Sequence, residues 1–389
     1  MTPRRTIRIM AVGCGLSVAN LYYSQPLLVD IGQAFGVGDR EMGLATMLSQ
    51  VGYAAGLLGF VPLGDMLERR GFILVMLGAV TLALAAVAAS PSFPWLLAAS
   101  LILGATTIVP QLIIPFAAAV AEPGDRGRVV GTVMSGLLVG ILSARTVSGA
   151  VGGLLGWRAM YAIAALLMVA LLMAFRLLLP RSEPSVSGWS YARLLRSLAT
   201  LVREEPVLRH SALLGAMTFA AFSVFWTTLA FHLSRRPFEY GSDRVGLFGL
   251  IGVGGALAAP FIGGVADRRS ARSTIGLGLW LMLAAFGIFA LLGETVAGMV
   301  LGVVVLDLGV QCSHVSNQTR IYGLRPEARN RLNTVYMVTF FCGGALGSLA
   351  GSQAWSRWGW TGVCAVGASF LVIALGAFRA TAGSTPPDR

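Results

Sequence analysis

Long runs of apolar residues, separated by short polar connections, occupy nearly the whole chain and restrict the folds that it can adopt. About 20 apolar residues in a helix cross the hydrocarbon core of a bilayer, and only helices satisfy their own backbone hydrogen bonds within such runs. The alternation typical of a membrane β-barrel is not found in them. The sequence therefore predicts an all-α membrane protein with twelve transmembrane spans, near 8–29, 42–63, 72–90, 95–120, 129–155, 159–179, 210–232, 245–264, 274–292, 296–319, 332–353 and 359–378.

Composition supports a membrane protein and excludes several other classes. Hydrophobic residues make up 56% of the chain and charged residues 12%, whereas soluble domains contain about 25% charged residues. The formal net charge of +12 does not indicate a nucleic-acid partner, because the arginines are distributed over short connections instead of forming one patch. The four cysteines lie in apolar runs without metal-ligand or disulfide spacing. We expect no metal, no cofactor and no enzymatic activity, since no catalytic set is found.

The positions of the arginines predict the orientation of the chain. All 29 basic residues are arginines, and most of them fall in connections on the same side as the N-terminus. The positive-inside rule places that side in the cytoplasm. We therefore expect a multi-pass protein of the bacterial inner membrane with both termini in the cytoplasm, functioning as a monomer in the lipid bilayer.

Three landmarks recur along the chain and indicate two halves. "VPLGDMLERR" at 61–70 is repeated as "GGVADRRSAR" at 263–272, and "PGDRGR" at 123–128 as "PEARNR" at 326–331. Gly156-Trp157 recurs as Gly359-Trp360, an offset of 203 residues. Parallel repeats of this kind place a ligand site near the middle of the membrane. The predicted domains are a six-helix bundle at 1–179, a cytoplasmic linker with an amphipathic helix at 180–209, a second six-helix bundle at 210–380 and a disordered tail at 381–389.

The repeated motifs resemble those of the major facilitator superfamily. "GGVADRRSAR" resembles the loop signature G-x-L-A-D-R-x-G-R-K, of which the first copy retains Asp65 but has Val61 and Glu68 in place of glycines. "SGAVGGLLGWR" resembles the antiporter signature G-P-x-x-G-G of the fifth helix, with Gly149 in place of proline. "NLYYSQPLL" and "HVSNQTRIYGLRPEARNR" resemble a bacterial branch near the drug:proton antiporters. The resemblance implies alternating access of a central site to the two sides of the membrane.

Charged residues at the inner ends of spans two and eight are candidates for a cytoplasmic gate. An aspartate here can meet the positive N-terminal end of a neighbouring helix and a nearby arginine. The resemblance implies span eleven as the neighbour of Asp65, and span five as that of Asp267. Alternatively, these charges only set the topology. The candidate gate residues are Asp65, Arg69, Arg70, Asp267, Arg268 and Arg272.

Polar residues inside the spans predict a water-accessible cavity. Asp307, Gln311, His314 and Gln318 follow one another at i, i+4, i+7 and i+11 and therefore share one face of span ten. The resemblance places spans one, four, seven and ten around this cavity. The further lining candidates are Asn20, Tyr23 and Ser24 in span one, Gln111 in span four and Trp226 in span seven.

Arg145, Asp307 and His314 are the candidates for coupling substrate movement to protons. A charge at the centre of a span costs about 2.5–3.5 kcal/mol on insertion scales, so Arg145 should face the interior with a partner. It either forms a structural ion pair, with Asp307 or a helix C-terminus, or takes part in binding an anionic substrate or holding Asp307. His314 is either a hydrogen-bonded cavity liner or a proton relay.

These observations predict a secondary transporter that exports small organic molecules in exchange for protons. The alternative within transport is proton-coupled uptake of a small nutrient or metabolite. A membrane-embedded enzyme or a sensor would need a catalytic set or an appended soluble domain, and the sequence offers neither.

Overall fold

The computed structural model describes residues 3–122, 124–181, 190–257, 270–325 and 328–380 and is helical throughout. Within these ranges the chain forms fifteen helices. They are α1 (Pro3–Ala19), α2 (Ser24–Phe35), α3 (Asp39–Gly59), α4 (Leu63–Met66), α5 (Arg69–Ala88), α6 (Phe93–Thr106), α7 (Val109–Val120), α8 (Arg126–Leu155), α9 (Trp157–Leu178), α10 (Tyr191–Glu204), α11 (Pro206–Leu233), α12 (Ser242–Leu257), α13 (Ala271–Leu292), α14 (Val296–Tyr322) and α15 (Arg329–Ala380).

The helices correspond to the twelve predicted spans. Eight stretches of the described chain are long and apolar enough to cross a membrane. One of them, α15, has 52 residues and is interrupted at Gly359, so it holds two spans. Three further spans complete the twelve. The helices α1 and α2 together form one, α3 forms another, and α12 is the described part of span eight.

Two predicted spans are broken by turns near prolines. Residues 20–23 separate α1 from α2, and Thr107 and Ile108 separate α6 from α7. Pro26 lies in the first turn of α2, and Pro110 lies in the first turn of α7. A proline is tolerated there because the first amides of a helix have no intrahelical acceptor. Hydropathy alone did not predict these breaks.

The chain divides into two compact units. Unit 1 contains Met1–Gly36, Leu48–Leu195 and Gly241–Gly249, and unit 2 contains Val37–Met47, Arg196–Tyr240 and Leu250–Arg389. In unit 1, α1 packs against α8 and α5 packs against α9. In unit 2, α11 packs against α15 and α13 packs against α14. The predicted domain boundaries remain a prediction.

Glycines bring the paired helices of each unit into close contact. A Cβ atom on Gly140 of α8 would lie 2.2 Å from the carbonyl oxygen of Gly15 on α1. In unit 2, a Cβ atom on Gly343 of α15 would lie 2.2 Å from the carbonyl oxygen of Ala216 on α11. The 203-residue offset relates Gly140 to Gly343, so a glycine at the equivalent position forms a backbone-to-backbone contact in each unit.

The repeated Gly-Trp pair forms a turn of the same kind in both halves. Gly156 has φ +85° and Gly359 has φ +59°, a backbone region that glycine adopts without steric cost. Trp157 follows the first turn with its ring centroid 5.8 Å from that of Phe35. Trp360 follows the second, and its indole nitrogen donates to the carbonyl oxygen of Phe289 at 2.9 Å. The repeat in the sequence is therefore also a repeat in backbone conformation.

One helix, α10, lies within the predicted linker. Its apolar residues Leu194, Leu198 and Leu201 are buried within the protein. Glu204, the last residue of α10, and Glu205 accept hydrogen bonds from Arg325 at 3.0 and 2.7 Å. The hydrogen bond to Glu204, and then that to Glu205, raise the pKa of Arg325. Residues 182–189 of the linker and the predicted tail at 381–389 lie outside the described residues.

Candidate functional site

Arg145 lies in α8 and is buried in unit 1, with a relative exposure of 4%. Its Nε donates to Oε1 of Gln25 at 2.5 Å, and its guanidinium carbon lies 4.9 Å from the centroid of the Tyr22 ring. The positive charge thus meets an amide oxygen and the negative face of an aromatic ring. Both groups lie at or after the turn that separates α1 from α2.

Gln25 and Tyr22 were not predicted to contact Arg145. They belong to "NLYYSQPLL", from which only the neighbouring Asn20, Tyr23 and Ser24 were chosen. Tyr22 lies in the turn at 20–23, and Gln25 lies in the first turn of α2. The available signal was an amide side chain in an apolar run, directly before Pro26.

The cavity candidates of unit 1 contact other residues of that unit. Asn20 is buried, and its amide nitrogen lies 3.6 Å from the Met168 sulfur. Tyr23 is also buried, and Ser24 forms a hydrogen bond with Tyr161. Gln111 donates to the Tyr53 hydroxyl at 3.4 Å. Their role as a lining remains a prediction.

The polar residues of span ten lie on one helix in unit 2. Asp307, Gln311, His314 and Gln318 all belong to α14, and all four are partly exposed. Gln318 donates to Oδ1 of Asn333 on α15 at 3.2 Å. The four residues share one face of α14, which we call the α14 polar stripe, and its role as a cavity lining remains a prediction.

His314 contacts α15 through two aromatic residues. Its Nδ1 lies 3.2 Å from the Tyr336 hydroxyl, and its ring centroid lies 4.8 Å from that of Phe340. Trp226, the candidate from span seven, is 2% exposed on α11 and packs against Phe225 with 5.5 Å between ring centroids. Tyr336 and Phe340 were not among the predicted site residues.

The described gate candidates contact backbone carbonyls. Arg69 donates to the carbonyl oxygen of Pro115 at 3.5 Å, Arg70 donates to that of Arg176, and Arg272 donates to that of Phe378 at 2.8 Å. The Asp65 side chain, Asp267 and Arg268 lie outside the described residues, so the gate remains a prediction.

Glu68, which departs from the family signature, has a structural role. Its carboxylate accepts hydrogen bonds from the backbone amides of Arg70 and Gly71 at 3.0 and 2.6 Å. These are two of the amides that have no acceptor within α5. Glu68 therefore caps this helix, and its negative charge is placed favourably at the helix N-terminus.

A cluster on the predicted outer side was not found from the sequence. Asp39 at the start of α3 accepts from Arg235 at 2.9 Å and from the Trp355 indole at 2.8 Å. The Arg235 guanidinium carbon also lies 5.0 Å from the Trp355 ring centroid. The three residues are far apart in the sequence, and no motif connects them. Among the described residues, no cluster of His, Cys, Asp and Glu is placed to bind a metal ion.

Comparisons with known proteins identify the family. The family model of the Major Facilitator Superfamily matches residues 10–254 and 211–389. The chain is 42% identical over 369 residues to the uncharacterized transporter YgaY of Escherichia coli O157:H7, with 95% of this chain and 93% of the relative covered. It is 34% identical over 372 residues to "Probable transporter SCO4007" of Streptomyces coelicolor, covering 95% and 86% of the two chains.

A solved structure shows the same fold. The crystal structure of a mutant of the nucleoside transporter NupG matches with a TM-score of 0.81 at 15% sequence identity, covering 98% of this chain and 100% of that chain. The predicted all-helical fold with twelve transmembrane helices is confirmed. The chain belongs to the major facilitator superfamily and is a multi-pass membrane transporter of small molecules, not an enzyme.

Proposed function

We propose that this transporter exports small organic, drug-like molecules in exchange for protons, by alternating access across the bacterial inner membrane. The observation that carries the proposal is the α14 polar stripe, on which the carboxyl group of Asp307 lies within a membrane span. Ionisable residues at membrane depth mark substrate or proton pathways because they are costly to keep there. The antiporter signature in span five and the resemblance to drug:proton antiporters support export.

In this proposal Asp307 carries the exchanged proton. A carboxyl group on a half-buried stripe can be charged when water reaches it and neutral when apolar groups surround it. Its proton affinity therefore changes with the conformation of the transporter, and antiport requires such a change. Arg145 provides a fixed positive charge that attracts anionic groups of a substrate.

The remaining candidate residues have supporting roles. Asn20, Tyr23, Ser24, Gln111, Trp226, Gln311 and Gln318 line the substrate path. Asp65 with Arg69 and Arg70, and Asp267 with Arg268 and Arg272, close the cytoplasmic side. Such a gate must stabilise the closed state by only a few kcal/mol, since the transporter has to open and close repeatedly.

Transport by the purified protein in lipid vesicles tests the proposal. Ligands are first found by the thermal stabilisation that drug-like compounds and metabolites give to the protein. Accumulation of a stabilising compound is then measured with and without an imposed pH gradient, using protein-free vesicles as the control. We expect the gradient to drive the compound against the direction of proton flow. Movement in the same direction as the protons would indicate uptake, and movement indifferent to the gradient would reject proton coupling.

A further inference from the structure

A hydrogen bond joins α14 to α15 beside the polar stripe. The Tyr336 hydroxyl lies 3.2 Å from Nδ1 of His314, and the two ring centroids are 5.6 Å apart. Phe340, one helical turn beyond Tyr336, packs against the His314 ring at 4.8 Å. Tyr336 is fully buried, whereas His314 is partly exposed. The Tyr336 hydroxyl thus contacts Nδ1 of the imidazole, and the Phe340 ring packs against the imidazole ring.

The chemistry of the phenol determines the direction of this bond. A buried hydroxyl that donates to nothing costs about 1–3 kcal/mol, and the acceptor that the described residues offer to Tyr336 is His314 Nδ1. If Nδ1 carried the hydrogen instead, the phenol oxygen would accept it and the phenol hydrogen would lack this acceptor. The neutral imidazole therefore has its lone pair at Nδ1 and its hydrogen at Nε2.

Gly215 on α11 fixes the position of the phenol. A Cβ atom at residue 215 would lie 2.7 Å from Cε2 and 2.8 Å from the hydroxyl oxygen of Tyr336. The ring of Tyr336 therefore occupies space that any other side chain at position 215 would take. Three helices, α11, α14 and α15, together determine where the hydroxyl lies.

We propose that Tyr336 is a positioning residue that holds His314 in the Nε2–H tautomer. Tyr336 covers the Nδ1 edge and Phe340 covers one face, so Nε2 is the ring nitrogen that meets substrate or exchanges a proton. This use of Nε2 depends on the proposed function, whereas the tautomer does not. His314 follows Asp307 by seven residues, or about 10 Å along the same helix face, so Nε2 continues the stripe that begins at the carboxyl group.

Nitrogen NMR of the histidine-labelled protein tests this assignment directly. The chain has three histidines, and the signals of His314 are those absent from a His314→Gln variant. Spectra are recorded well above the ordinary histidine pKa of about 6.5, where the imidazole is neutral. In the wild type we expect mainly the Nε2–H form. Tyr336→Phe should lower the ratio of the Nε2–H to the Nδ1–H form by about two- to tenfold, the effect of one ordinary hydrogen bond.

Two further variants make the test specific. Gly215→Ala should lower the same ratio without removing the hydroxyl, because the new methyl group displaces the phenol. Tyr322→Phe is the control, since the Tyr322 hydroxyl also bonds from α14 to α15, but to Asn333 at 3.0 Å, and we expect it to leave His314 unchanged. A wild-type Nδ1–H tautomer, or an unchanged ratio in both Tyr336→Phe and Gly215→Ala, would overturn the proposal. A lowered ratio together with transport that ignores the pH gradient would support the positioning role and reject only the proton coupling.

Discussion

Two of the residues that contact Arg145, Gln25 and Tyr22, are neither adjacent to it in the sequence nor acidic. A buried charge required an interior partner, and this requirement could be read from the hydropathy of span five. The identity of the observed partners depended on a turn in span one, which brings Gln25 and the Tyr22 ring to the guanidinium. The sequence therefore predicts that such a residue has partners more reliably than it predicts which residues they are.

Asp307→Asn should abolish proton-coupled transport while leaving the protein folded. Asparagine has the shape of aspartate but cannot carry a proton on and off, so the exchange loses its proton site. Transport driven by a pH gradient should fall at least tenfold in vesicles, and the thermal unfolding midpoint should change little. The matched control is Asp125→Asn, which removes an exposed carboxylate paired with Arg128 and should transport normally. Wild-type coupled transport by Asp307→Asn would place the proton site at another residue.

The helices were predictable from hydropathy, but their internal breaks and contacts were not. Apolar runs predicted every span because each must bury its backbone in lipid, and the predicted α14 polar stripe lies on a single helix. The breaks at residues 20–23 and at Thr107–Ile108 depend on where a proline falls relative to a helix start.

Gly140→Ala should destabilise the protein through the contact between α8 and α1. The added methyl carbon would lie 2.2 Å from the Gly15 oxygen, where neither backbone can easily give way. Overpacking of this kind costs about 1–3 kcal/mol, measurable as a lower thermal midpoint in detergent. The control on the same helix is Gly131→Ala, where no neighbouring atom lies within 4 Å. That change should be neutral or slightly stabilising, because alanine is the better helix former. Equal effects of the two substitutions would argue against a tight α1–α8 contact.

At the scale of the whole molecule, the duplication was visible in the sequence because the two halves have similar residues at equivalent turns and helix ends. In both halves a positive-φ glycine followed by tryptophan joins two adjacent spans by a very short turn, at Gly156 and at Gly359. By contrast, the Asp39–Arg235–Trp355 cluster joins three distant segments. No repeat or spacing marks such a cluster, and only the folded chain brings its members together.

The orientation of the molecule can be tested with cysteines placed at two exposed positions. Ser92, before α6, lies in a predicted outer connection, and Thr200, on α10, lies in the predicted cytoplasmic linker; both are exposed. In a background in which the four native cysteines are replaced by alanine, we expect Ser92→Cys to react with a membrane-impermeant maleimide in intact spheroplasts. Thr200→Cys should react only after the membrane is permeabilised, because the arginine-rich connections are retained in the cytoplasm. Labelling of Thr200→Cys in intact spheroplasts would reverse the topology and, with it, the side on which the predicted gate at Asp65 and Asp267 closes.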